Sequence, residues 1–330
     1  MGVIKSLKRF IRSKSASLIL VIIAIVAFFY LMNPNYLSRD NIRGIMNSMS
    51  ISAIIGVGMA FLLMGGGINL AAGAEGCFCA LLVTFLMRAG TPWPAALLLG
   101  LIFGMCAGLI NSFFINALNF MDFITTIGLS SVYSGIGLII TKNSNIAISD
   151  QLFWQIGSNS VFNFFPMPFV IMVCVAVIYG IILAKTRFGR SVLMCGGNRA
   201  AARLAGLSPK KISTLLYMNS GMLSTLAGSV LAARMHSASP NALSNGTFDA
   251  ITASVLGGVS FMGGSGSISG MFFGVLLLTA FNNGLVVIKL DAYWQLVSQG
   301  ALLIIALCVD FFNTRARSTA LKKASVYKAV

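Results

Sequence analysis

The chain has 330 residues, of which 57% are hydrophobic and only 9% charged, with a mean hydropathy of +0.91. Soluble domains carry about 25% charged residues, so this chain cannot cover a water-facing surface and reads as an integral membrane protein. Its 23 Lys and Arg against 7 Asp and Glu give a net charge of +16, which in a soluble protein would point to nucleic acid; the placement of the charges excludes that partner.

Residues 1–14 hold Lys5, Lys8, Arg9, Arg12 and Lys14. Residues 185–211 hold Lys185, Arg187, Arg190, Arg199, Arg203, Lys210 and Lys211, and residues 312–330 hold Arg315, Arg317, Lys322, Lys323 and Lys328. These acid-free blocks take 17 of the 23 basic residues and leave six against all seven acids elsewhere. Such an excess marks short cytoplasmic segments. Both termini (1–15 and 313–330) and the loop 185–211 are therefore expected inside, with an even number of spans on each side of the loop.

A membrane helix needs about 20 apolar residues. Ten candidates follow one another near 16–32, 44–64, 74–89, 95–117, 122–141, 166–184, 212–233, 249–262, 268–288 and 294–312. The first imitates a secretory signal, but Phe28-Phe29-Tyr30 and Asn33-Pro34-Asn35 replace a small-residue cleavage site, so it is expected to stay as an uncleaved span. Breaks fall at Asn33-Pro34-Asn35, Pro92-Trp93-Pro94, the polar stretch 142–165 and the Gly-Ser run 263–267. Spans 2–3 and 8–9 are the least regular. No segment between spans approaches the ~50 residues of a small domain, which predicts one transmembrane domain over 1–330.

Two glycine-rich stretches interrupt the apolar pattern, Met64 to Gly76 and Gly257 to Gly270. Glycines allow close helix packing. They also allow broken helices, which survive at membrane depth only inside protein or beside a watery cavity. The two stretches resemble each other (Met-Gly-Gly, further Gly, then an apolar run), and paired interruptions in two halves point to a transport pathway. The six cysteines lack metal-ligand spacing and read as packing residues. Trp93 and Trp154, near expected outer ends, read as interfacial anchors. His236, the only histidine, has no partner cluster and no catalytic role is expected for it.

Within the central loop, Asn198 suits an N-cap, Arg199 to Ala205 a short helix, and Gly206 its C′ residue. Ser208-Pro209 then opens the next helix. Arg199 and Arg203 share one face at i,i+4. A loop that only sets orientation needs the charges but no capped helix, so this one reads as a docking element.

An ordered series of motifs from about Asn41 to Asp310 resembles the permease subunits of ribose/xylose-type ABC importers. Phe188-Gly189-Arg190-Ser191-Val192, Gly196-Gly197-Asn198 and Ala201-Ala202-Arg203-Leu204-Ala205-Gly206 are similar to the cytoplasmic loop of that family. Gly66-Gly67-Ile68-Asn69-Leu70 with Gly73 resembles its Gly-Gly-Ile-Asp-Leu-Ser-x-Gly signature, and Phe123 to Gly128 its Phe-Ile-x-Thr-Leu-Gly segment. Asp249-Ala250-Ile251, Val255 to Gly258, Gly263-Gly264 and Gly266 match its late glycine signature.

The resemblance implies an all-α polytopic protein of about ten transmembrane helices, a type II-like permease with broken helices and a cytoplasmic coupling helix. It implies residence in the bacterial inner membrane, pairing with a second permease copy, identical or related, and delivery of a small polar solute such as a pentose or hexose by an extracytoplasmic binding protein. Separate cytoplasmic ABC ATPase subunits would hold ATP and Mg. The chain itself has no Gly-x-x-x-x-Gly-Lys-Ser/Thr loop, so no enzyme activity or bound cofactor is expected of it. Coupling to the ATPase falls on Gly189, Arg190, Gly197, Asn198, Arg199, Ala201, Arg203 and Gly206.

Candidate pathway residues are Gly66, Gly67, Asn69, Gly73 and Glu75, then Thr125, Thr126 and Asp249, then Gly257, Gly258, Asn282 and Asn283. Asn111, Gln295 and Gln299 are further polar residues within spans that suit either a hydroxylated solute or interhelical hydrogen bonds. Asn69 and Ala71 depart from the family's Asp and Ser, and Glu75 adds a carboxylate in or beside an apolar span. An intramembrane ionisable group is a functional candidate by default; Glu75 suits pathway lining, pairing with a basic residue, or an aqueous boundary. The competing reading is a proton-coupled secondary transporter using Glu75 or Asp122. A membrane-embedded enzyme lacks any constellation of acid, base and nucleophile.

Overall fold

The computed structural model of the chain describes residues 14–327. Residues 1–13 and 328–330, with Lys5, Lys8, Arg9, Arg12 and Lys328 of the terminal basic blocks, lie outside the described residues. Among the described residues, the regular structure is helical apart from two antiparallel ribbons of two-residue strands.

Helix α1 (Lys14–Met32) ends at the Asn33-Pro34 break, where Asn33 caps a short 3-10 turn. Ser38 caps α2 (Arg39–Met64), whose latter part is wholly enclosed. An irregular segment leads to α3 (Ala72–Arg88), and Pro92 and Pro94 set the start of α4 (Trp93–Ser112), prolonged by a π turn at Phe113–Ala117. Next come α5 (Asp122–Thr141), α6 (Gln151–Ser158) and α7 (Met167–Lys185). Helices α8 (Arg187–Gly197) and α9 (Arg199–Leu204) fill the central loop, followed by α10 (Pro209–Met235), α11 (Gly246–Leu256), α12 (Ile268–Val287) and α13 (Ala292–Tyr327).

Among the described residues, six helices are long and apolar enough to cross a membrane: α2, α4 with its π turn, α5, α7, α10 and α12. Shorter apolar runs lie in α1 (Leu18–Met32) and α13 (Tyr293–Cys308). The expected spans 74–89 and 249–262 differ from the rest. Helix α3 has 17 residues and α11 only 11, about 16 Å of rise for the latter, because glycine turns at 65–67 and 257–264 end the regular backbone.

Three further differences from the sequence reading have local causes. The polar stretch 142–165 contains α6, nucleated by Asp150, whose carboxylate accepts from the Leu152 and Phe153 amides. In the loop, α8 precedes the expected short helix because the Thr186 hydroxyl accepts from Gly189 N. The expected tail from 313 continues α13 as helix to Tyr327.

Helix α10 is the centre of the bundle. It packs on α4, α3 and α2, with α11 and α12 on the far side of α2. The strands Ile146–Ala147 and Ser237–Ala238 pair antiparallel at the end of the bundle remote from α8–α9; the two ends are the ribbon end and the loop end below. Trp154 donates to Ile148 O and stacks on His236 at 4.6 Å near the ribbon. The described cysteines are all free, and Cys77, Cys79 and Cys195 are buried.

Candidate functional site

A polar cavity of about 350 Å3 opens in the ribbon-end half of the bundle between α2, α11, α12 and α13. Gly44, Ser48 and Ser52 line it from α2, at the i,i+4 spacing that keeps side chains on one helix face. Thr279, Asn282, Asn283 and Val286 do the same from α12 at i, i+3, i+4 and i+7. Asp249 of α11, Arg234 of α10 and Gln295 of α13 complete the wall.

Several of these groups are held from behind. Gln299, one turn beyond Gln295, donates to Asp249. Asn283 and Asn41 exchange side-chain hydrogen bonds of 2.9 and 3.0 Å. Asn282 Oδ1, by contrast, is buried without a hydrogen-bond partner among the described residues.

The sequence-derived pathway residues divide into three groups. Asp249, Asn282 and Asn283 meet in this cavity, with Gln295 beside them. Ser48, Ser52 and Arg234 join them unforeseen. The serines carried a readable signal, a Gly-Ser-Ser face at four-residue spacing inside an apolar helix.

Asn69 and Glu75 belong to a second, solvent-free cluster where α3, α4, α5 and α10 meet. Asn69 Nδ2 donates to Glu75 Oε2 at 3.0 Å and lies 3.2 Å from Ser220 Oγ. Asn111 donates to Glu75 Oε1 and to Asn69 Oδ1. Tyr133 O–H reaches Asn111 Oδ1 at 3.4 Å and Ala107 O at 3.2 Å. Asn69 Oδ1 also accepts from Ala71 N. Glu75 is fully buried and its partners are two carboxamides, which separates it from the aqueous-boundary alternative. Thr126 donates to Asp122 O within its own helix, and Thr125 Oγ1 is buried without a partner among the described residues.

The glycines form the third group, and close packing occupies them. Gly73 N donates to Thr247 Oγ1 at 2.8 Å, and a Cβ there would overlap Leu243 O. A Cβ on Gly257 would sit 2.5 Å from the Gly270 carbonyl carbon, so α11 and α12 touch backbone to backbone. Gly66 (φ +76°) and Gly258 (φ +84°) take left-handed turns that favour glycine, while Gly67 lies near Leu62, Asp122 and Tyr217.

At the loop end, Asn198 Oδ1 accepts from Ala200 N and Ala201 N and caps α9. Gly206 terminates it at φ +80°, and Pro209 opens α10. Ala202 is buried, whereas Leu204 is 91% exposed. Arg190, Arg199, Ala201 and Arg203 are exposed as well. Gly189 lets α8 turn back against Leu183 of α7. Leu204 is thus a large apolar side chain exposed at the end of a capped basic helix, a feature with no distinguishing signal in the sequence.

Comparisons with known proteins find relatives over most of the length of the chain. The family described as branched-chain amino acid transport system / permease component matches residues 41–307. The ribose import permease protein of Bacillus subtilis is 34% identical over 287 residues, 87% of this chain and 89% of that protein. The D-allose transport system permease protein of Escherichia coli is 32% identical over 292 residues, 88% of this chain and 89% of that protein. The L-arabinose transport system permease protein of Escherichia coli is 32% identical over 294 residues, 87% of each. No solved structure matches the chain.

Proposed function

The chain belongs to the family of branched-chain amino acid transport system / permease components, and on that premise we propose that it is the membrane-spanning subunit of an ATP-driven importer for a monosaccharide. The observation that carries the choice of solute is the polar cavity with its hydroxyl, carboxamide and charged walls. Hydroxyls, carboxamides, Asp249 and Arg234 supply the paired donors and acceptors that a polyhydroxylated ring needs. The relatives named for ribose, D-allose and L-arabinose support the same class.

In this reading the chain crosses a bacterial inner membrane ten times, with α11 and the segment before it serving as one crossing. Both termini and α8–α9 face the cytoplasm, and the ribbon end faces outward, where a solute-binding protein delivers the sugar. A second permease copy, identical or related, completes the pathway. ATPase subunits holding ATP and Mg seat α9, with Leu204 as the central apolar contact.

Reconstitution with the ATPase and binding protein tests this. Uptake is expected to require ATP and to ignore a protonophore; the opposite pattern would establish the secondary-transporter reading with Glu75 or Asp122 as proton carrier. Asn282→Ala is expected to raise the KM for transport about 2- to 10-fold, the equivalent of one hydrogen bond of ~0.5–1.5 kcal/mol. Leu204→Asp is expected to abolish capture of the ATPase from solution while leaving the permease inserted.

A further inference from the structure

The two glycine-rich turns and the end of α8 interlock without side chains. Gly264 N donates to the carbonyl of Met64, the last residue of α2, at 2.9 Å. A Cβ on Gly196 would overlap Met64 O and sit 2.7 Å from Gly264 N. One on Gly263 would lie 2.8 Å from Gly196 O and 3.1 Å from Gly66 Cα, and one on Gly264 would lie 2.6 Å from Gly197 Cα. Arg199 at the start of α9 adds a strap, donating to Gly66 O at 3.2 Å. Asp310 of α13 holds the same turn by accepting from Phe261 N at 3.1 Å.

The other side of α9 is different. A cavity of about 500 Å3 separates Arg199, Arg203 and Leu207 from Asn116, Phe120 and Asp122 at the α4–α5 connection. Close-packed backbone transmits displacement because it cannot be compressed, whereas a gap of this size transmits none.

We propose that α8–α9 and the two glycine turns move as one body, and that the gap beside α9 is the clearance into which that body swings. A push on α9 then displaces α2, α11 and α12, three walls of the polar cavity, relative to α5, to which the first glycine turn is tied through a side chain, Tyr217 donating to Ile68 O and to Asp122 Oδ2. Ser52 lies 12 residues before Met64 in α2, so the clasp acts on the cavity through about 18 Å of helix. This rests on α9 as the ATPase contact, and it specifies which helices that contact moves.

Spin labels test it in a chain whose exposed cysteines, Cys106, Cys174 and Cys308, are replaced by serine. Met194 of α8, Met262 of the second glycine turn and Met121 beside α5 are all exposed and accept labels through Met194→Cys, Met262→Cys and Met121→Cys. With ATPase bound, adding ATP is expected to leave the 194–262 distance unchanged and to shift the 194–121 distance by several ångströms. A changed 194–262 distance, or two unchanged distances, would overturn the proposal. Gly196→Ala, which wedges the clasp, is expected to lower uptake more than 10-fold with ATPase capture retained, and full uptake in that variant would also overturn it. If Gly196→Ala does not insert, the label distances in the unwedged chain decide. Docking itself is tested by Leu204→Asp, which none of these labels touches, so the two readings fail separately.

Discussion

Gly108→Val is expected to leave almost no stably folded protein. Helix α4 carries Gly100, Gly104 and Gly108 at four-residue spacing; Gly104 and Gly108 lie directly on α10, while Gly100 faces Val83 of α3. A Cβ at Gly108 would overlap Tyr217 O and sit 2.8 Å from Met218 Cα, and one at Gly104 would sit 2.6 Å from Gly221 O. Gly221 returns the contact, since its own Cβ would overlap Gly104 O. Without a hydrophobic drive between helices in lipid, this close approach is the main source of association. Overpacking a core costs about 1–3 kcal/mol when side chains can yield, and here the obstruction is backbone on both sides. The expected loss therefore lies at or above the upper end, enough to remove the monodisperse peak in detergent and to lower Tm strongly. Gly128→Val on α5, where nothing lies within 4 Å, is the control and is expected to behave as wild type. A wild-type Tm for Gly108→Val would refute the packing assigned to α4 and α10.

Glu75→Leu is expected to be the second most damaging substitution. It deletes the acceptor shared by Asn69 and Asn111 and leaves carboxamide donors unpaired inside the bundle. Each unsatisfied buried group costs about 1–3 kcal/mol, against an average of ~0.6 kcal/mol for an interhelical hydrogen bond in a membrane. Because this cluster is enclosed by protein on all four helices, the larger figures apply, and a loss of about 2–6 kcal/mol is expected in a denaturant titration. Glu75→Gln keeps one acceptor and is expected to fall between Leu and wild type. The cluster is separate from the polar cavity, so the KM of Glu75→Gln is expected to equal that of wild type. A large change in KM with unchanged stability would instead make Glu75 a solute ligand.

The central loop was the most legible part of the site, because its signals are local. Asn198, Gly206 and Pro209 each act through a backbone preference within a few residues, and all three occur where the sequence puts them. Thr186 is an equally local cap, yet it escaped notice because Gly189, Gly196 and Gly197 make α8 look like loop. The polar cavity was only half legible. Asp249, Asn282 and Asn283 stand out as polar residues in apolar helices, but nothing local distinguishes them from Asn111, which is engaged in the Glu75 cluster. The difference arises from which helices face each other across hundreds of residues. The two glycine stretches illustrate the same limit: their mutual likeness is readable, while their contact with Gly196 is not, since it depends on three turns arriving at one end of the bundle.

The attachment of α1 has a consequence for how the chain is made. Phe29 packs over Gly284, and Tyr36 donates to Ala280 O at 2.8 Å across 244 residues of sequence. Asn33 reaches Val287 O in the same way. A ribosome adding about 5–20 residues per second needs roughly 10–50 seconds to deliver α12 after α1 has left it. For that interval the first helix waits in the bilayer with its aromatic face uncovered, and a chain halted before residue 280 would never retire it.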